Sequence, residues 1–146
     1  MIELALLPVA QDQPAAMLPL KEIAERAHVP AKFLEQIMLN LKNAGLLHSK
    51  MGVGGGYYLA KPTREITLGQ IIRVLDGPLA PIGCVSQMAY EKCGCPDEES
   101  CGLRLVMLDV RNAIAAILDN TSLADVIQRV EAARGARPDW SDLLPI

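Results

Sequence analysis

The chain has 146 residues, a formal net charge of -3 and five aromatic residues, Phe33, Tyr57, Tyr58, Tyr90 and Trp140. That length suits one compact domain, or a small domain with a dimerising arm, whose core needs no disulfides, and so few aromatics argue against a base-stacking single-strand binder. It holds no run of about eighteen apolar residues to span a membrane, and the basic residues and cleavage site of a secretory signal are missing from its start, so a cytoplasmic location is expected. The net acidity is unevenly spread. Between Met17 and Arg64 seven basic residues (Lys21, Arg26, Lys32, Lys42, Lys50, Lys61, Arg64) face three acidic ones (Glu22, Glu25, Glu35), a local +4 that leaves -7 for the remainder. Phosphate affinity depends on where cations cluster, so this distribution is compatible with duplex binding, and equally with an ordinary solvated surface.

In chain order, Leu20, Ile23, Ala24 and Ala27 fall at helical spacing, and His28, Val29 and Pro30 break that helix. Pro30 suits the first turn of the next, where a missing N–H costs nothing. Its apolar face is Leu34, Ile37, Met38 and Leu41, and Gly45 is positioned to end it. Two helices joined by so short a turn read as a helix-turn-helix. Leu46 to Lys50 and Tyr57 to Ala60 read as short strands of a hairpin around Gly52, Val53, Gly54, Gly55 and Gly56. A helix then starts at Thr67, a suitable N-cap, turns Leu68, Ile71, Ile72 and Leu75 inward and stops at Gly77 and Pro78. All four cysteines follow, at positions 84, 93, 95 and 101. Leu103 to Leu118 is helical, with Leu103, Val106, Val110, Ala113 and Ile117 at heptad spacing and Met107, Ile114 and Leu118 widening the stripe. So wide an apolar stripe needs more than one partner surface, which points to a homodimer. Thr121 or Ser122 caps a closing helix with Leu123, Val126, Ile127 and Val130 inward, and a loose tail is expected from Gly135.

The glycine run is not a phosphate loop: no Gly-Lys-Ser/Thr follows it, Tyr57 stands where the dinucleotide fingerprint needs glycine, and both flanks are strands. Its glycines instead let a hairpin tip approach a DNA backbone closely. If the second helix reads the major groove, its first turns offer Lys32, Phe33, Glu35 and Gln36. Gln36 can pair with adenine, Glu35 can accept from cytosine, and Lys32 can meet phosphate or guanine. A symmetric dimer would present two such helices to half-sites about 34 Å apart. In a reducing compartment, clustered thiols serve as metal ligands or redox sensors more often than as disulfides. Iron-sulfur, zinc and thiol-redox chemistry all remain open on the residues alone, as does a structural zinc scaffold. A cysteine-dependent enzyme would need a base beside a thiol, whereas His28 and His48 lie in the helix-turn-helix and the hairpin strand, so no enzymatic activity is expected.

Phe33-Leu34-Glu35-Gln36, the stretch Leu41 to Leu47, the hairpin from Gly52 to Tyr57, Thr67-Leu68-Gly69, the cysteine loop and the closing Thr121-Ser122-Leu123-Ala124-Asp125 together resemble the Rrf-two family of bacterial regulators, from Ile2 to Val130. The resemblance implies a mainly α fold with a small β-hairpin wing: a winged helix-turn-helix over 1–78, a cluster loop over 79–102, a dimerisation helix and closing helix over 103–134 and a tail over 135–146. It implies a homodimeric repressor or activator that binds a double-stranded operator through Lys32, Phe33, Glu35 and Gln36 and through Lys50, Met51, Gly52, Gly54 and Gly55. In cluster-binding members three cysteines hold a 2Fe-2S or 4Fe-4S cluster, and by position these are Cys84, Cys95 and Cys101, with Cys93 an additional thiol. Zinc is the alternative metal. Three departures stand out. Where some members have a histidine after the third cysteine, this chain has Arg104; Met51 stands where some have an arginine before the wing; and the chain begins about ten residues inside the usual family start, so a partner-supplied N-terminal ligand is not expected. If Cys93 joins, the site has four thiolates; if not, the fourth position falls to water, an external ligand, or Asp97, Glu98 or Glu99.

Overall fold

A computed structural model describes residues 17–135. Among them are five α-helices and one antiparallel hairpin: α1 (Leu20–Ala27), α2 (Ala31–Asn43), β1 (Leu47–Lys50), β2 (Gly56–Leu59), α3 (Leu68–Leu75), α4 (Gly102–Asp119) and α5 (Leu123–Gly135), with single 3-10 turns at Thr63–Glu65 and Gly83–Val85. The winged helix-turn-helix is thus formed as expected. Gly135 closes α5, and the rest of the expected tail, like the first sixteen residues, lies outside the described residues.

Both helices of the helix-turn-helix end in the same way. After α1 the His28 N–H bonds to Glu25 O (3.3 Å) and the Val29 N–H to Ala24 O (3.0 Å); after α2 the Gly45 N–H bonds to Lys42 O (2.9 Å) and the Leu46 N–H to Leu41 O (3.0 Å). Each pair satisfies two orphan carbonyls through one left-handed residue. Gly45 adopts φ +71° at no steric cost, whereas His28 holds φ +53° with a β-carbon present. Pro30 is the N-cap of α2 rather than a first-turn residue, its carbonyl accepting from the Phe33 and Leu34 N–H groups.

The hairpin pairs Leu47 with Leu59 and Lys50 with Gly56, so each strand ends within a residue of its expected limits. Leu18 adds a short third rung by exchanging two hydrogen bonds with Tyr57 (3.1 and 2.8 Å). A β-carbon on Gly56 would run into the Leu18 and Pro19 backbone, which is why that position carries none.

The core gathers Ile23, Leu34, Met38, Leu41, Leu47, Ile66, Ile71 and Leu123. Leu75, expected inward, is exposed: as the last residue of α3 it borders an open apolar recess of about 370 Å3 shared with Ala27 and Ile37. Thr67 caps α3 in a reciprocal box with Gln70, its Oγ1 accepting from the Gln70 N–H (3.3 Å) and its N–H donating to Gln70 Oε1 (3.2 Å). Beside it the Leu68 N–H bonds to Thr121 O (2.9 Å) and the Leu123 N–H to Ile66 O (2.8 Å), so the start of α5 is laced to the start of α3. Ser122 caps α5 with Asp125, and Leu123 is fully buried in the winged module's core. Arg73 of α3 grips Asp119 of α4 with two bonds (2.5 and 2.8 Å), holding that carboxyl below the usual carboxylate range.

Replacing His28 with glycine should stabilise the chain by about 1 kcal/mol, because the left-handed turn then loses its steric cost. Urea denaturation measures this, and a midpoint that stays put or falls would mean that the His28 side chain repays its strain.

Candidate functional site

The first turns of α2 carry Lys32, Phe33, Glu35 and Gln36, all exposed, while Leu34 and Met38 turn into the core. The separation follows from helical periodicity: the inward residues are four apart, and the polar row Lys32, Gln36, Asn40 is too. Gln36 Nε2 donates to Asn40 Oδ1 (2.9 Å), fixing the amide and leaving its other groups outward. Asn40 was missed by the sequence reading, although its place four residues after Gln36 was the available signal. On the wing, Lys50, Met51, Gly52 and Gly54 are exposed and Gly55 half-covered. Across the hairpin the His48 ring lies 5.4 Å from that of Tyr58, the surface packing expected of it.

The four cysteines come from three pieces of chain. Cys84 sits on the Gly83–Val85 turn and is buried; Cys93 and Cys95 lie on the following loop; Cys101 is the N-cap of α4. All four line one recess of about 290 Å3, with Ile82, Leu103 and Arg104. Within it the thiols form a chain of neighbours, Cys84 to Cys93, Cys93 to Cys95 and Cys95 to Cys101. Hydrogen bonds from the Cys95 N–H and thiol hold Cys93 below the ordinary thiol range. Cys95, hydrogen-bonded to Cys93 and Cys101 in turn, is pushed up to about 12, and burial raises Cys84. Among the described residues, no three Cys, His, Asp or Glu side chains converge on a single point as a ready-made mononuclear site.

Around this recess the charged groups are already engaged. The Arg104 Nε–H donates to Cys84 O (3.3 Å) and lies 3.3 Å from Glu98 Oε1, and the Tyr90 hydroxyl donates to the same carboxylate (2.7 and 2.8 Å). Tyr90 is thereby raised above the usual phenol range. Asp97 accepts from the Glu99 and Ser100 N–H groups and the Ser100 hydroxyl, which shapes the turn into α4. Of the three acidic residues considered for a fourth ligand position, only Glu99 keeps an exposed, uncommitted side chain among these contacts. Nothing in the sequence marked Tyr90 for this role, since its partner lies eight residues away in irregular loop.

No described residue of α4 is buried. Leu103, Val106, Val110 and Ile117, the heptad positions, are 61, 57, 39 and 63 % exposed, while Met107, Ile114 and Leu118 are half-buried against the rest of the chain. The stripe is therefore split, with one edge on its own protein and the other open.

A family model described as Rrf2, iron-dependent transcriptional regulator, matches residues 3–129. The chain belongs to the Rrf2 family. Its relatives there include an rrf2-like HTH-type transcriptional regulator of Rhodobacter capsulatus, 39 % identical over 118 residues, covering 80 % of this chain and 78 % of that protein. Two solved Rrf2-type structures are similar throughout: CymR, the global cysteine regulator of B. subtilis (33 % identity, TM-score 0.67, 88 % of this chain and 87 % of that one), and T. potens IscR (31 %, TM-score 0.67, 94 % and 84 %). As a member of the Rrf2 family the chain is a DNA-binding transcription regulator and not an enzyme.

In reduced, metal-free protein Cys93 should be alkylated by iodoacetamide ahead of Cys84 and Cys95. A lowered pKa supplies thiolate at lower pH than an ordinary cysteine, so its rate should level off earlier as pH rises, while Cys95 lags throughout. Mass spectrometry of peptides over a pH series checks this; simultaneous labelling of both would contradict the hydrogen-bonded pair.

Proposed function

We propose that the protein is a homodimeric, sequence-specific transcription regulator in which Cys84, Cys93, Cys95 and Cys101 hold an iron-sulfur cluster that senses redox state, iron or a reactive gas. The observation that carries this reading is the common recess: all four thiols of the chain line it, at the base of the helix whose exposed apolar edge suits a symmetry mate. The donor set fits. A tetrahedral zinc ion needs four ligands around one point at about 2.3 Å, whereas these thiols are strung around a wider recess, an arrangement suited to a group with more than one iron. Cys93 supplies the fourth thiolate, since Arg104 cannot ligate and is tied to Cys84 O and Glu98. When bound, the cluster would supply one-electron redox chemistry tuned by hydrogen bonds to its sulfurs and by exposure.

The remaining roles belong to the chain itself. Lys32, Phe33, Glu35 and Gln36 enter the major groove, and the wing residues Lys50, Met51, Gly52, Gly54 and Gly55 contact the DNA beside it. Cys84, Cys93, Cys95 and Cys101 would hold the cluster and with it the path of the 84–101 loop, which ends on α4; α4 is clamped to α3 by Asp119 and Arg73, the link through which a change at the thiols would alter the pose of the two reading heads. Such a protein works in the cytoplasm. A second reading, a thiol-redox regulator with no cluster, is favoured by the equal likeness to CymR, described as a global cysteine regulator.

Anaerobically purified protein should be brown, with visible charge-transfer absorption that Cys95→Ala abolishes. A colourless, iron-free preparation after anaerobic reconstitution overturns the cluster and leaves the thiol-redox reading. Gln36→Ala should weaken operator binding by about 1 to 3 kcal/mol, the worth of a bidentate base contact; unchanged affinity in a mobility-shift titration removes Gln36 from the reading set.

A further inference from the structure

The tip of the wing is built unlike a phosphate-binding surface. Met51 is 94 % and Val53 109 % exposed, and Gly52 and Gly54 on either side of Val53 hold φ +100° and +75°. The Gly55 N–H closes the turn on Gly52 O (2.9 Å), and a β-carbon at Gly55 would collide with Lys50 O. The result is a slim tip of bare backbone with two apolar side chains. From 51 to 55 there is no Arg, Lys, Asn or Gln; the adjacent cation, Lys50, sits at the strand end opposite Gly56. With α2 in the major groove, the groove left for a flanking hairpin is the minor one. It is about 6 Å wide, it offers little hydrogen-bond information, and apolar side chains are a recurrent means of engaging it.

We propose that Met51 and Val53 lie in the operator's minor groove against sugars and base edges, so that the wing contributes apolar, salt-independent affinity and reads groove shape, while Lys50 alone meets phosphate. This rests on the DNA-binding regulator reading. Each cation on a phosphate makes the slope of log K against log salt more negative by about 0.9, and an apolar contact leaves it unchanged.

The test uses the full chain and a duplex it selects from a random-sequence library, with Kd measured from low to high salt. Met51→Ala and Val53→Ala should each weaken binding about 3- to 10-fold with the slope unchanged. Because the homodimer brings two wings to the duplex, Lys50→Ala should make the slope shallower by about two, and Met51→Arg should make it steeper by about two. Full affinity in the Met51→Ala, Val53→Ala double variant, with an unchanged melting midpoint, overturns the proposal and leaves those side chains to a protein partner or to solvent; a loss accompanied by a reduced slope overturns it too. A wild-type chain that selects no duplex sinks the regulator reading itself, an outcome visible before any variant is made.

Discussion

The burial of Leu123 in the core of the winged module is the constraint on which the rest of the architecture depends. Leu123 opens the last helix, yet its side chain is fully covered by a core assembled from α1 to α3, and its N–H is spent on Ile66 O. Burying a leucine is worth about 1.5 to 3 kcal/mol. With the Thr121 carbonyl taken by Leu68 and the Arg73–Asp119 pair one turn away, that contact closes a loop in the chain. Everything between α3 and α5, the cysteine segment and the long helix included, is tethered at both ends to the reading head. Cys101 stands at the start of α4 and the clasp at its end, so the thiols and the reading head are joined through the full length of that helix.

The closing helix is continuous in sequence with the long helix, but its first turn is packed with the N-terminal module. The long helix is the outlier. It contributes no buried residue among those described, and its heptad edge is left open. Four large apolar side chains exposed along one helix edge form the surface that the proposed symmetry mate would cover.

The cysteine recess combines a rigid wall and a loose one. Cys84 is buried on a 3-10 turn whose carbonyl is held by Arg104, and Cys101 starts a helix, so these two thiols are set by regular structure. Cys93 and Cys95 ride on irregular loop and are linked to the wall by thiol hydrogen bonds and, nearby, by the Tyr90–Glu98–Arg104 bridge. A loop so held can change its path when its sulfurs change partners, without unfolding the helices on either side.

The helices, the hairpin and the Thr67 cap were legible in the sequence because they rest on local rules: apolar spacing at 3.6 residues, glycine where φ must be positive, and a hydroxyl before an apolar run. The exposed polar row of α2 followed from the same periodicity, and the likeness to the Rrf2 family came from motifs along nearly the whole chain. Asn40 and Tyr90 were not read, and Leu75 was turned the wrong way, because each depends on a neighbour or a solvent boundary that spacing does not reveal. Sequence by itself thus determined which segments are helical, which residues can read bases and which atoms can bind metal, all properties of residue type and short-range order. Tertiary structure alone decided that four thiols from three segments share one recess, that Arg104 is anchored away from ligation, and that the last helix completes the first module's core. Those outcomes depend on contacts between separate segments, from Cys84 and Cys101, 17 positions apart, to Leu123 and Ile66, 57 apart, whose pairing is set by packing and has no periodic trace in the chain.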